Sequence, residues 1–281
     1  MTIQTICVCG AGTMGSGIAQ VAATAGFTTL LYDVNADMLQ KAKAGIEGSL
    51  QKLVSKEKIT PDQQQQTIGR LRYITDINQC IAEVFIEAIV EKMEVKLSLF
   101  NQLAGINTPE TIFASNTSSL SITRLAAQIS HPERVVGLHF FNPAPLMKLV
   151  EVVKTEFNTT ATITQMEALV NTMQKTPVVC KDSPGFIVNR VARPYYIEAL
   201  RLAEEGLADF AQIDELMEST GFKMGPFALM DLIGNDINYA VSCSVYEQLQ
   251  QPERLKPSYI QEEKVKKGEL GRKSGKGYYN Y

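Results

Sequence analysis

Thr5-Ile-Cys-Val-Cys-Gly10-Ala-Gly-Thr-Met-Gly15 is the stretch whose reading decides the fold. Thr5 to Cys9 alternates small and β-branched residues as a buried strand does, and then runs through Gly-x-Gly-x-x-Gly into a helical pattern over Ser16 to Ala25. The three glycines have separate tasks: Gly10 makes a tight turn, Gly12 lets the backbone approach a pyrophosphate, and Gly15 packs the helix closely on the sheet. Thr13 and Met14 lie where helix N–H groups and a positive dipole end face an anion. A second strand, Gly26 to Tyr32, ends at Asp33. Asp33 can be an ordinary cap or turn residue. At that spacing an acidic side chain also accepts hydrogen bonds from an adenosine ribose and repels a 2′-phosphate, which selects NAD over NADP.

Strand and helix patterns continue to alternate. Helical periodicity covers Ala36 to about Lys56, then Asp62 to Leu71 after Pro61, Glu91 to Leu103, Leu120 to Ile129, and Thr162 to Lys175. Strand patterns cover Arg72 to Thr75, Val84 to Ile89, Thr111 to Ser115, Val135 to His139, Lys148 to Lys154, and Pro177 to Cys180. This alternation argues a doubly wound, Rossmann-type α/β sheet over residues 1–183. After Lys181-Asp-Ser-Pro-Gly185 the pattern turns helical: Phe186 to Glu205, Asp209 to Ser219, Phe227 to Gln250, and Pro257 to Lys267. Residues 184–281 therefore read as an all-helical second domain. The glycine- and tyrosine-rich end, Gly271 to Tyr281, reads as a segment that docks.

Composition narrows the class of protein further. The 281 residues carry 27 Lys and Arg against 30 Asp and Glu, a net charge of −3, so nucleic acid and anionic membranes are not expected as partners. No window resembles a spanning helix and no leader is expected ahead of the first strand, so a cytoplasmic location is the expectation. Five scattered cysteines make no disulfide framework. Cys7 and Cys9 share one face of a strand and read as packed thiols, with no metal expected.

Only two histidines occur. His139 follows the apolar run Val135 to Leu138, and Glu151 follows Leu149-Val150 after a Pro-rich turn. Neighbouring strands would join imidazole and carboxylate, fixing the ring's tautomer for proton transfer; a satisfied core pair is the plainer alternative. Gly10, Asp33, Glu91, Ser118 and His139 all fall at carboxyl ends of strands, where open α/β sheets bind ligands. Ser118 can equally cap the following helix. Asn189 is either a surface residue or a donor to a substrate carbonyl.

Gly10-x-Gly-x-x-Gly15, Ser115-Asn-Thr-Ser-Ser-Leu120, the block from His139 to Glu151, Lys181-Asp-Ser-Pro-Gly-Phe-Ile-Val-Asn-Arg190 and Gly225-Pro-Phe-x-Leu-x-Asp-Leu-x-Gly234 together resemble the L-3-hydroxyacyl-CoA dehydrogenase family. The likeness covers essentially the whole chain and is to the short, single-function bacterial 3-hydroxybutyryl-CoA dehydrogenase type, without a hydratase module. It implies NAD-dependent, reversible oxidation of a short-chain (3S)-3-hydroxyacyl-CoA. His139 would be the acid/base and Glu151 its support, while Ser118 and Asn189 would hold the substrate. Gly10, Gly12, Thr13, Met14, Gly15, Asp33, Glu91, Lys96, Ser118, Asn142 and Lys273 would meet NAD. Ser49, Lys52 and Lys56 would meet CoA, although such lysines can also be a solvated helix face. The likeness also implies a homodimer built on the helical domain, with a hinge near Asp182 to Gly185. A β-hydroxyacid dehydrogenase acting on free acids, where a lysine is expected in place of the His–Glu pair, and a non-catalytic protein on the same scaffold are the competing readings.

Overall fold

Eight strands make one sheet in the computed structural model, which describes residues 2–281. They are β1 (Thr5–Cys9), β2 (Thr28–Tyr32), β3 (Leu71–Ile74), β4 (Val84–Glu87), β5 (Ile112–Ser115), β6 (Val135–Phe140), β7 (Leu149–Lys154) and β8 (Thr176–Lys181). Their order is β3-β2-β1-β4-β5-β6-β7-β8. The first six run parallel, β7 is antiparallel to β6, and β8 runs parallel to β7. Chain order reverses direction between β1 and β4, so their carboxyl ends frame the crevice in which such sheets bind ligands. Ile6, Cys7, Val8 and Cys9 are wholly buried, as expected where helices cover both faces of a parallel sheet.

The helices of this unit are α1 (Thr13–Thr24), α2 (Ala36–Ser55), α3 (Pro61–Arg70), α4 (Met93–Ile106), α5 (Ile122–Ala126) and α6 (Thr160–Thr172). Their starts are written in local chemistry. Asn35 caps α2 by accepting from Asp37 N and Met38 N, and Thr60 with Gln63 makes a reciprocal capping box ahead of α3, with Pro61 in its first turn. α1 is the exception. Its cap is Gly12, which offers no side-chain acceptor to the first-turn N–H groups. α1 also begins at Thr13 rather than Ser16, so Thr13, Met14 and Gly15 are themselves its first turn.

The chain divides into two compact units between Asp182 and Ser183. The second unit is helical: α7 (Val188–Glu204), α8 (Phe210–Ser219), α9 (Pro226–Ile233), α10 (Asn235–Gln248) and α11 (Tyr259–Lys266). Tyr196, Leu200, Ile213, Phe227 and Met230 form its core. The single helix expected from Phe227 to Gln250 is two, broken at Gly234, whose φ of 104° lies outside any helical conformation. The apolar spacing runs through the break and hides it. The C-terminal segment docks on this unit: the buried Asp231 carboxylate accepts from Tyr278 N and Tyr279 N, each at 3.0 Å.

Candidate active site

The crevice begins at the glycine turn. Gly10 has φ +102°, and a Cβ there would stand 2.6 Å from Ala88 O on β4's exit; a Cβ on Gly15 would stand 1.7 Å from Gly10 O. Both positions are closed to any side chain. Gly12 differs: nothing lies within 4 Å of its Cβ position, because it opens onto two cavities at once. One, of ≈ 620 Å³, lies over the ends of β1, β2 and β4 and is lined by Asp33, Val34, Ile77, Val90 and Leu99 among others. The other, of ≈ 370 Å³, lies between α1, α2 and the turn after β6 and is lined by Thr13, Lys41, Asn142 and Pro143 among others. An open glycine at an uncapped helix start between two cavities fits a dinucleotide's pyrophosphate. Asp33 stands at the wall of the larger cavity, with Oδ2 accepting from Ala11 N at 2.8 Å and Oδ1 from Asn35 N at 2.9 Å. The apolar residues Val34, Ile77, Val90 and Leu99, which sequence reasoning missed, make a slot suited to a flat aromatic base. They come from separate elements, Leu99 from α4 and the others from the segments after β2, β3 and β4, and so gave no shared spacing by which to find them.

Past β4, a carboxylate hub ties two strand ends together. Lys96 is 1% exposed and stands in α4's first turn, with Nζ 2.6 Å from Glu87 Oε1 and 3.1 Å from Glu91 Oε2. Glu87 Oε2 accepts from Ser115 Oγ at 2.7 Å. Glu91 Oε1 accepts from Thr117 Oγ1, from Ser119 Oγ at 2.9 Å and from Ser118 N at 3.3 Å. Burial pushes the Glu91 carboxyl upward, but the Lys96 ammonium and the hydroxyl donors outweigh it and hold the group below its ordinary value. Lys96, read from sequence as a cofactor contact, sits beside Glu91 as its counter-ion. Ser118 does not cap the next helix; Ser121 does, accepting from Arg124 N. That leaves the Ser118 hydroxyl uncommitted to a cap, on the loop that Glu91 fixes.

β6 carries the histidine. Phe140 N donates to Asn116 Oδ1 at 2.8 Å, joining the end of β6 to the Ser118 loop. His139 and Glu151 are register partners across the β6–β7 pair. Glu151 is fully buried and accepts from His139 Nδ1 at 2.7 Å. A carboxylate is an acceptor only, so the Nδ1 proton is fixed and Nε2 becomes the nitrogen that exchanges a proton. Phe141 packs on the imidazole at 4.5 Å between ring centroids. Asn142, three residues on, reaches the wall of the smaller cavity beside Thr13.

The remaining sequence candidates are on α2 and in the second unit. Ser49 and Lys52 fall on one stripe of α2, with Lys56 at its C-cap, and both lysines are exposed. Asn189 is in the first turn of α7, its carbonyl accepting from Arg193 Nε at 3.0 Å. Lys273 lies in the C-terminal segment, with Nζ 2.5 Å and 2.7 Å from the two Asp236 oxygens. Among the described residues no group of three or more His, Cys, Asp or Glu side chains could hold a metal ion. No helix among them is long and apolar enough to cross a membrane.

A glycine turn at a switch point, an acidic end to the second strand, and a His–Glu pair on the same rim describe a dinucleotide-dependent dehydrogenase. Two family profiles match the chain end to end. The one described as 3-hydroxyacyl-CoA dehydrogenase, NAD binding domain, matches residues 5–183, and the one described as 3-hydroxyacyl-CoA dehydrogenase, C-terminal domain, matches residues 185–281. The chain belongs to the 3-hydroxyacyl-CoA dehydrogenase family. It is 49% identical over 283 residues to the 3-hydroxyadipyl-CoA dehydrogenase of Escherichia coli K12, covering all of this chain and 60% of that protein's length. It is 42% identical over 287 residues to the mitochondrial hydroxyacyl-coenzyme A dehydrogenase of Sus scrofa, covering 99% of this chain and 91% of the relative. The crystal structure of an (S)-3-hydroxybutyryl-CoA dehydrogenase from Ralstonia eutropha superposes with a TM-score of 0.95 at 39% identity, covering 100% and 99% of the two chains. The family's first domain is NAD binding, which agrees with the Asp33 geometry.

Proposed function

We propose that this protein catalyses the reversible, NAD-dependent oxidation of a (3S)-3-hydroxyacyl-CoA to the 3-oxoacyl-CoA, with short acyl chains as its substrates. The observation that carries the mechanism is the 2.7 Å contact between His139 Nδ1 and a buried Glu151 carboxylate at a strand end on the ligand-binding rim. In oxidation, His139 Nε2 takes the 3-hydroxyl proton as C3 gives up its hydride; in reduction it returns that proton. NAD bound over Gly12 supplies the hydride acceptor. Glu151 holds the ring in place and offsets the charge it gains, a strong effect at a site closed to water.

Ser118, on the loop clamped by Glu91, hydrogen bonds the substrate's 3-oxygen, and Asn189 holds the substrate from the second unit. Gly10, Gly12, Thr13, Met14, Gly15, Asp33, Glu91 and Asn142 form the cofactor's site, with Lys96 acting through Glu91 and Lys273 contributing from the second unit. Ser49, Lys52 and Lys56 meet the CoA portion. The relatives' names span 3-hydroxybutyryl-CoA and 3-hydroxyadipyl-CoA, so the acyl end is the variable to test. The enzyme acts in the cytoplasm as a homodimer joined through residues 184–281.

NADH oxidation measured side by side with acetoacetyl-CoA, longer 3-oxoacyl-CoAs and 3-oxoadipyl-CoA tests the reading. Turnover fastest with acetoacetyl-CoA is expected. No turnover with any of the three would sink the proposal.

A further inference from the structure

Asn189 stands in a turn that the local sequence does little to hold. The chain enters α7 through two left-handed residues in succession, Gly185 at φ 73° and Phe186 at φ 49°. The N-cap, Ile187, offers no side-chain acceptor to the first N–H groups. Pro194, inside the helix, has no N–H to give to the Arg190 carbonyl one turn back. The turn from Val188 to Arg193 therefore lacks a cap at its start and a rung of the ladder at its end.

Arg193 supplies a hold from another helix. It is 3% exposed. Its Nε donates to Asn189 O at 3.0 Å, and its Nη1 donates to Asn238 O at 3.0 Å and to Ser242 Oγ at 2.8 Å, both on α10. One guanidinium, with donors in a rigid planar fork, thus joins the Asn189 carbonyl to two groups on α10. Among the described residues no carboxylate is ion-paired with it, and the Tyr196 ring lies 4.9 Å from its Cζ. Burial lowers its pKa to about 10, which leaves it a cation at neutral pH. A buried charge is ordinarily paired with an opposite one; this one is held by two carbonyls and a hydroxyl, and what it gives the fold is position. α10 is itself fixed at this level, since Asn238 Oδ1 accepts from Gln261 Nε2 of α11 at 3.2 Å. The entry to α7 closes on the same helix: a Cβ on Gly185 would stand 2.9 Å from Val245 Cγ2.

We propose that Arg193 is a positioning residue for the substrate, setting the place of Asn189 by tying the first turn of α7 to α10. This rests on the function proposed above, in which Asn189 holds the substrate. Arg193 itself touches neither substrate nor cofactor and carries no proton in the reaction.

A double-mutant cycle with acetoacetyl-CoA and NADH tests this. Arg193→Met removes the fork and keeps an unbranched stem, and Asn238 O retains its bond from Ser242 Oγ at 3.0 Å; the Tm checks the fold. KM for acetoacetyl-CoA is expected to rise and kcat/KM to fall by about tenfold or more, a misplacement of about 1 Å being able to cost about 100-fold. The Kd for NADH is expected to stay at the parent value, a split that general loosening of the fold would not give. In the Asn189→Ala background the same substitution should change kcat/KM by less than about twofold, because the group it positions is gone. Where Arg193→Met fails to fold, Arg193→Lys, which keeps the charge without the fork, goes through the same cycle with the same expectation. Parental kcat/KM in the folded Arg193 variant overturns the proposal, and so does an equal loss with and without Asn189. The reading beneath it fails by a different result: Asn189→Ala at parental kcat/KM removes Asn189 as a substrate contact, and the role of Arg193 with it.

Discussion

His139 and Glu151 face each other directly across the antiparallel β6–β7 pair, in a sheet whose strands up to β6 are all parallel. The reversal brings a residue twelve positions downstream back to the rim on which the parallel strands end. Directly opposite residues in an antiparallel pair project to the same face, so imidazole and carboxylate meet without either side chain reaching. Burying the carboxylate makes the contact rigid and keeps water from competing for it.

Replacing His139 by Ala therefore removes the proton carrier and leaves the glycine turn untouched. The expected result is a fall in kcat of about 10²–10⁴-fold, with the Kd for NADH, measured by fluorescence, close to wild type. Glu151→Gln should fall between the two, because the amide can still meet Nδ1 but cannot offset the cation. Near-normal turnover in His139→Ala would remove the central claim.

Much of this geometry was legible in the sequence because backbone chemistry dictates it. The glycine turn could be read because no other residue fits at Gly10 or Gly15, and Asp33 because the second strand ends one residue before it. His139 and Glu151 could be placed on neighbouring strands because two short apolar runs flank one turn. Lys96 could not be placed: its burial depends on Glu87 and Glu91 standing beside α4's first turn, which only the β4–α4 packing sets. The break at Gly234 escaped because apolar periodicity does not report φ. Ser118 and Ser121 are equivalent as caps in sequence, and only the helix start chooses between them.

Asp33 lines the larger cavity with its carboxylate anchored to the glycine turn through Ala11 N. A fixed negative charge there repels a 2′-phosphate. The wild-type protein should therefore use NADH far better than NADPH by kcat/KM. Asp33→Ser should narrow that ratio by about tenfold or more, equivalent to about 1.4 kcal/mol. Equal use of both cofactors by the wild type would show that the end of β2 does not select.

The Glu91 carboxyl is held below its ordinary value by Lys96 and by the hydroxyl donors, against the opposing effect of burial. A depressed folded-state pKa contributes stability above the unfolded value, about 4.3 for Glu, and that contribution is lost as pH falls through the depressed value. Lys96→Met removes the counter-ion and leaves burial to act, so Glu91 should protonate at higher pH. The acid-unfolding midpoint followed by circular dichroism is expected to move upward, with a loss at neutral pH of about 3–5 kcal/mol because the fully buried Glu87, 2.6 Å from Lys96, also loses its cation. An unmoved acid midpoint would show that Lys96 is not what keeps Glu91 ionised.

The helical unit carries more apolar surface than its own core consumes. Val191 is 73% exposed, Leu207 67% and Leu216 64%, and Leu232 and Ile237 are each half exposed on either side of Gly234. Single exposed apolar residues are ordinary; in the proposed homodimer these, which lie outside an internal core of Tyr196, Leu200, Phe227 and Met230, would be the ones a partner covers. A second copy of the chain is the partner the family resemblance implies, with each unit of residues 184–281 contributing the same patch in an isologous contact. The chain mass is 31.0 kDa, so light scattering at micromolar concentration should return about twice that value. Val191→Asp or Leu232→Asp, which place a charge in the contact while leaving the buried core intact, should shift the mass toward one chain without a large change in helix content. A wild-type mass equal to one chain would mean that these residues stay in water and that the unit is complete by itself.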